Sequence, residues 1–425
     1  MSSSHHTGRK RKMSQIPNVA YGSRYTSGSD LGFEPIREIC QLSVAERVRI
    51  VRAGELAGSV LQKSCRILAE AFQNNDPDLE WLRRITMASI PEEYRGFAKS
   101  VMIMNGEKSP VNFRLDMLGD GTIAEIQCPG SGWGYTIALE ELLGISPDNS
   151  SILQTYRSWI GDRTAVWWLY NESLSRSVAF LAEQCKKNGI RLEVKRNNEF
   201  NPDGDFQVVV KRPPFPELVS GEQGRALLKR WMDGKIEMDP APSMVSDTKF
   251  QLVMLHHPST RDSFTEEERK LCHPSYIIEE SKQELNFGGP VVRIADLPNL
   301  SKGQRKFIIK YGGGRRWDRF GGHEVHSLRH KDRVEERFSL IERAIREYQE
   351  TDEGWIIQPF ISGKRTFASL GLSQNGAGNK SYYILWRPAY QMRGGKVSHI
   401  GTTILNLREN WKVHGSSDTY FGLAR

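Results

Sequence analysis

FRLDMLGDGTIAEIQ, residues 113–127, is the stretch that decides how this chain is read. Two alternating runs flank Asp120-Gly121, a dipeptide favoured in two-residue type I′ hairpin loops. That register pairs Gly119 with Thr122, Asp116 with Glu125, and Arg114 with Gln127. Cross-strand partners share a face, so Arg114, Asp116, Glu125 and Gln127 project the same way. Two carboxylates set directly opposite each other repel unless a cation lies between them. Two readings follow. One is a solvated hairpin face on which Arg114 neutralises an acid. The other is a divalent-metal site of hard oxygen ligands, suited to Mg²⁺ that also holds a phosphate.

At 425 residues, with 38% hydrophobic and 26% charged positions, the chain has room for two or three packed subdomains of a globular protein. It has no apolar run long enough to span a bilayer, and no apolar segment behind the first basic residues, so neither a membrane nor a secretory signal is expected. The formal charge is +8, of which Arg9, Lys10, Arg11 and Lys12 supply four in a Ser/His/Gly-rich leader. Residues 301–347 hold a second excess, 13 Lys/Arg against 7 Asp/Glu, around a glycine-rich loop. A polyanionic small ligand such as a nucleotide explains that placement, and a nucleic acid also would. The five cysteines, Cys40, Cys65, Cys128, Cys185 and Cys272, form no C-x-x-C pair, and a reducing cytoplasm is the expected setting.

Four regions are expected. Residues 1–30 read as a disordered leader. Residues 31–160 hold a helical region, capped by Ser43 with Val48, Val51, Leu56, Val60 and Leu61 among its apolar positions, and then the acidic hairpin. Residues 161–215 read strand, helix, strand: AVWWLY, a stripe of Leu174, Val178, Leu181 and Cys185 ended by Gly189, then RLEVKR and FQVVVK. That pattern predicts a small open α/β unit with parallel strands. Residues 216–425 begin helical, with Thr265 and Glu268 matching a capping box. They continue through strands at GPVVRIAD and KFIIKYGGG to an amphipathic helix at 331–349, whose stripe is Val334, Phe338, Ile341, Ile345 and Tyr348. GWIIQPFISG, TFASLGL and SYYILWRPAY read as three strands of one antiparallel sheet. The whole is an α/β (α+β) chain.

FIIKYGGGRRWDRFGG, residues 307–322, ends a buried strand in Lys310 and places five glycines in eleven positions. Gly312, Gly313 and Gly314 allow close backbone approach, and successive amides can cradle an anion beside the lysine. It lacks the glycine-lysine-Ser/Thr triplet of a Walker A loop, and an ordinary hairpin with a solvated lysine has the same composition. WIIQPFI, residues 355–361, reads as a strand whose edge at Gln358 and Phe360 could meet a base.

The order of these parts is acidic hairpin, βαβ unit, lysine, second lysine with glycine loop, helix, then apolar strand. In that order the chain resembles the circularly permuted ATP-grasp ligases, the family that includes the synthetase part of glutathionylspermidine synthase. Its Arg-x-Asp … Glu-x-Asn signature is matched by Arg114, Asp116 and Glu125, with Gln127 in place of Asn. SDTKFQLVML resembles the segment of the first nucleotide lysine, here Lys249, and FIIKYGGG that of the second, Lys310. The resemblance covers about residues 95–390 and departs from the family at Gln127 and at Tyr311, where a proline often follows the lysine. It implies an ATP-grasp fold and ADP-forming amide ligation through an acyl phosphate, with ATP and Mg²⁺ as cofactors and a small carboxylate and amine or peptide as substrates. It further implies metal ligation by Asp116, Glu125 and Gln127, phosphate binding by Lys249 and Lys310, charge stabilisation by Arg114 assisted by Arg387, and base recognition around Gln358 and Phe360.

Two other classes compete. His323, His326 and His330 in GGHEVHSLRH offer imidazoles to a metallohydrolase, though not in the H-E-x-x-H spacing. A non-catalytic nucleic-acid binder is consistent with the charge but with no recognised binding motif.

Overall fold

The computed structural model describes residues 34–108, 110–128, 132–170, 175–313, 324–361, 363–373, 379–413 and 419–425. The expected leader, Leu174, Gly314 and His323 lie outside the described residues. Helices and mixed sheets make an α/β protein. Among the described residues no helix is long and apolar enough to cross a membrane.

A seven-stranded sheet forms the centre. Its main path runs Glu34–Cys40, Tyr420–Ala424, Lys396–Arg408, Tyr382–Arg393, Asn112–Leu118 and Ile123–Gln127, with Lys364–Arg365 added beside Tyr382–Arg393. Only the first pair is parallel. Alternation gives each long strand two buried faces: Leu405 and Leu407 join one core, Ile404 and Leu423 another. The acidic hairpin is therefore the edge of this sheet, and Tyr382–Arg393 lies inboard of it.

The helix Val44–Asn74 lies on the first face, capped by Ser43 and Glu46 in a reciprocal capping box. Its buried stripe is the expected one at Val60 and Leu61 but not in the first turns. Val48 and Val51 are exposed, while Ala53, Gly54, Ala57 and Gly58 meet the sheet. Close approach requires those small residues: a Cβ on Gly54 would stand 2.1 Å from the Tyr390 ring.

The parallel unit is as expected, with strand order Leu192–Arg196, Ala165–Leu169, Val208–Lys211 and Glu237–Met238. Glu237–Met238 carries this sheet past residue 215, the boundary drawn from the sequence.

A third sheet, antiparallel, runs Val325–Ser327, Phe307–Gly313, Gly354–Pro359 and Tyr276–Ile277. Phe307, Ile309 and Tyr311 pack with the helix Val334–Thr351, leaving Ile308 and Lys310 for the opposite side. That helix buries Arg337, Leu340, Ile341, Ala344 and Tyr348, whereas Phe338 is exposed. WIIQPFI thus pairs with FIIKYGG rather than with SYYILWRPAY. TFASLGL is a turn, not a strand: Thr366 and Ser369 bond each other's backbone, and Gly371 takes φ +71°. GPVVRIAD contributes only Val292–Arg293, paired with Glu284–Leu285, before a 3₁₀ turn.

Candidate active site

The hairpin keeps the two expected pairs of site residues, but not its expected loop or the Gly119–Thr122 pair. Asp116 faces Glu125 and Arg114 faces Gln127. The turn, however, has three residues, Gly119, Asp120 and Gly121, because Leu118 N–H donates to the Thr122 carbonyl at 2.8 Å. Gly121 alone takes positive φ, +91°, whereas a type I′ turn needs it at both central positions. The Asp120 carboxylate holds this loop by accepting from Thr122 N–H at 3.0 Å and Thr122 hydroxyl at 2.6 Å. A bulge at Ala124 then restores the pairing, since Met117 faces Ile123 while Asp116 faces Glu125.

Beside this hairpin lies a cleft of ≈ 690 Å³ between the central sheet and the third sheet. Arg114, Asp116, Glu125 and Gln127 line it together with Lys249, Lys310, Arg387, Gln358 and Phe360. Lys249 precedes the short helix Phe250–Met254, and its backbone N–H donates to the Gly312 carbonyl at 3.0 Å. Gly312 and Gly313 do not line the cleft. They leave room for Phe250, Thr248 and Ile356, and a Cβ on either would approach those side chains within 2.9 Å. Their role here is to seat Lys249 against the strand that carries Lys310.

Charges in the cleft are paired. Lys249 Nζ lies 3.3 Å from Glu125 Oε1. Asp116 lies between two guanidiniums, with Arg387 Nε at 3.2 Å and Arg114 Nε at 3.5 Å. Arg114 also donates to the Gln127 side-chain oxygen. Lys310 Nζ donates to the Ala124 carbonyl at 2.7 Å. Burial pushes the Lys310 ammonium down to about 8, with nearby Lys249 adding to it and Glu125 opposing. Burial and the neighbouring Arg387 push Arg114 down to about 10. Burial would raise Glu125, but the ammonium groups of Lys249 and Lys310 outweigh it and hold the carboxyl below its usual range.

Five cations, Arg114, Lys249, Lys310, Arg387 and Lys412, line the cleft against the carboxylates of Asp116 and Glu125. That imbalance favours a polyanion. The apolar part is formed by Ile308, Phe360, Leu385 and Trp411. Trp411 stacks on His330 with planes 5° apart, and Phe360 meets both rings edge-on. His273, Tyr383, Trp411 and Lys412 were not singled out from the sequence. They are brought to the cleft by long-range pairing, and no local motif marks them.

Asp116 Oδ1 is buried and ion-paired with the Arg387 and Arg114 guanidiniums without a well-angled hydrogen bond from either, and the donor set of two carboxylates with one amide oxygen suits Mg²⁺ that shares phosphate oxygens. The histidines at 326 and 330 do not converge on a metal. His326 bonds Glu324 at 2.5 Å, and His330 bonds Ser327 at 2.8 Å. Among the described residues no group of three His, Cys, Asp or Glu side chains could hold one. Cys128, next to the hairpin, is buried, and burial raises its thiol well above the ordinary range.

No protein-family model matches the chain, and no curated protein matches it in sequence. In structure it is similar to a glutathione synthetase-like effector from Globodera pallida, at 11% identity and a TM-score of 0.48 over 90% of this chain and 88% of the other. It is also similar to a protein from Methylobacillus flagellatus KT provisionally described as a gamma-glutamylcysteine synthetase, at 10% identity and a TM-score of 0.36 over 83% of each chain. At this level of similarity no site residue is carried over from either.

Proposed function

We propose that this protein is an ADP-forming carboxylate–amine ligase of the circularly permuted ATP-grasp kind. One observation carries the reading. Segments far apart in the chain meet on one cleft: hairpin residues 114–127, Lys249, Lys310, the strand end at Gln358–Phe360, and Arg387.

The nucleotide base would lie at the apolar end, against Ile308, Phe360 and Trp411. Lys249 and Lys310 would bind phosphate oxygens, since both residues line the cleft. Asp116, Glu125 and Gln127 would hold Mg²⁺, which when bound neutralises charge on the terminal phosphates. Arg114 and Arg387 would stabilise charge on the transferring phosphoryl group. The substrate carboxylate attacks the γ-phosphorus, releasing ADP and leaving an acyl phosphate. The amine then attacks the acyl carbon, and phosphate departs with the electron pair of the broken C–O bond. Positioning and charge neutralisation supply most of the rate effect in the phosphoryl step.

The test is binding of Mg·ATP by calorimetry, followed by a screen of carboxylate and amine pairs for ADP release with product masses recorded. Tight Mg·ATP binding and amine-dependent ADP release support the reading. No binding at millimolar nucleotide overturns it.

A further inference from the structure

Strand Lys396–Arg408 belongs to the central sheet, yet the turn that follows it, residues 409–413, reaches across one end of the cleft to the third sheet. Local bonds shape this turn. Arg408 donates to the Lys412 carbonyl at 2.7 Å, Lys412 N–H to the Asn410 side-chain oxygen at 3.1 Å, and Val413 N–H to the Trp411 carbonyl at 3.2 Å. The Trp411 indole then meets His330, the last residue of the 3₁₀ turn after strand Val325–Ser327. Their ring centroids are 5.4 Å apart with planes 5° apart, an offset stack. His330 is itself fixed by the Ser327 hydroxyl at 2.8 Å. Phe360, just past strand Gly354–Pro359, meets both rings edge-on. Three rings from separate segments thus join the two sheets at the apolar end of the cleft.

This cluster does more than tie the sheets together. His330 is exposed and Trp411 only half-buried, so the stack adds little burial to the core. Trp411 lines the cleft, whereas His330 is not among its described lining residues. The imidazole therefore backs the indole from outside, and the indole presents a stiffened aromatic surface beside Ile308, Phe360 and Leu385. Such a surface suits a flat π ring, and a fused two-ring base overlaps an indole more fully than a single-ring base.

We propose that Trp411 selects the base: residues 409–413 form a strap whose indole stacks on a purine ring in the cleft, and His330 positions that indole from behind. The proposal rests on the nucleotide reading of the cleft. It goes beyond that reading by assigning base selection to a strap of the central sheet rather than to the strand end at Gln358–Phe360.

The experiment uses the full chain in isothermal titration calorimetry with Mg·ATP, Mg·CTP and Mg·tripolyphosphate, the last being the phosphate chain without a base. Wild type should bind Mg·ATP more tightly than Mg·CTP. Trp411→Ala should weaken Mg·ATP about tenfold or more, leave Mg·tripolyphosphate within about twofold, and erase the preference for ATP over CTP. Trp411→Phe, which keeps an aromatic face, should stay within about threefold of wild type for Mg·ATP. His330→Ala should weaken Mg·ATP with tripolyphosphate unchanged, and His330→Phe should restore it. Circular dichroism and melting temperature verify folding, and should Trp411→Ala not fold, Trp411→Leu carries the same expectation. Mg·ATP binding that Trp411→Ala leaves unchanged, or that falls in step with Mg·tripolyphosphate, overturns this inference and leaves the ligase reading standing. Absence of binding by Mg·ATP and Mg·tripolyphosphate in wild type overturns both.

Discussion

The Lys310 ammonium donates to the carbonyl of Ala124, 2.7 Å away and 186 residues earlier in the chain. Ala124 is the bulged residue of the acidic hairpin, so its carbonyl is not committed to the hairpin ladder. One extra residue in that strand therefore serves two ends. It restores the Asp116–Glu125 pairing after a three-residue loop, and it gives the buried lysine an acceptor at the cleft.

Lys310 should make anion binding pH-dependent. Its folded value, about 8, is below that of an ordinary lysine, so the free site loses this charge as pH rises through about 8. Mg·ATP affinity should fall between pH 8 and 9.5 in the wild type. In Lys310→Met it should be at least tenfold weaker at pH 7 and nearly flat across that range. Stability follows the same linkage with opposite sign. The cost of burying the charge is fully present below pH 8 and is relieved between 8 and 10.5, so the wild type should gain on Lys310→Met over that window. Calorimetry and melting curves at stepped pH check both statements.

Glu125→Gln should both destabilise the protein and suppress turnover. The carboxylate is the 3.3 Å partner of Lys249, and its removal leaves two ammonium groups facing each other. The loss should be below the ~3–5 kcal/mol of a fully buried pair, because Glu125 opens partly to the cleft. The folded carboxyl is held below its usual range, so the stability it contributes is present above pH 4.5 and is lost as acid titrates it. A solvated hairpin pair would behave differently: relief of like-charge repulsion would leave stability and ADP production near normal.

Asp116 is enclosed by Arg114 and Arg387, so Asp116→Asn should cost about 3 kcal/mol by leaving two buried guanidiniums without their counter-charge. Adding Arg387→Gln should recover part of that loss. Denaturant unfolding of the two single variants and the double variant measures the coupling. Simple additivity would show that Arg387 does not act through Asp116.

Much of the hairpin was legible because alternation and an Asp-Gly turn constrain which residues share a face. The loop was not, because a two-residue loop without a bulge and a three-residue loop with one give the same Asp116–Glu125 pair. Lys396–Arg408 passed unread for a related reason. Thr402, Thr403 and Asn406 are polar yet buried in mid-strand, which erases the apolar alternation that marks a half-exposed strand. Helix Val44–Asn74 misled through size. Its sheet-facing side near the start is built of alanine and glycine, so Val48 and Val51 drew the first turns of the stripe to the wrong side, while Val60 and Leu61 further along are buried as expected. Trp411, Lys412 and His273 reach the cleft only through tertiary pairing, which no local pattern encodes.

That close approach of helix to sheet makes a paired prediction. Gly54→Ala forces a methyl group into the Tyr390 ring, whose hydroxyl is held by the Ile50 carbonyl at 2.7 Å, so relief by ring movement also strains a buried hydrogen bond. The expected cost is about 1–3 kcal/mol or more. Gly96 lies in helix Arg95–Met104, where an added methyl group would meet nothing within 4 Å, and Gly96→Ala should stabilise by up to about 1 kcal/mol. Thermal unfolding of both variants tests the packing of helix on sheet against intrinsic helix preference.

The chemistry should proceed without a covalent enzyme intermediate. Cys128 is the nucleophile nearest the site in sequence, one residue past Gln127, but it is buried and burial holds its thiol well above the ordinary range, so it is not a thiolate at neutral pH. The cleft instead presents cations and two carboxylates already engaged with them. Cys128→Ser should therefore keep substantial ADP-forming activity with the carboxylate and amine identified by screening. With that carboxylate labelled with oxygen-18, one labelled atom should appear in the released phosphate, because a carboxylate oxygen is the atom that attacks phosphorus. Label confined to the organic product, or loss of activity in a correctly folded Cys128→Ser, would rule out direct attack and require a route through the protein.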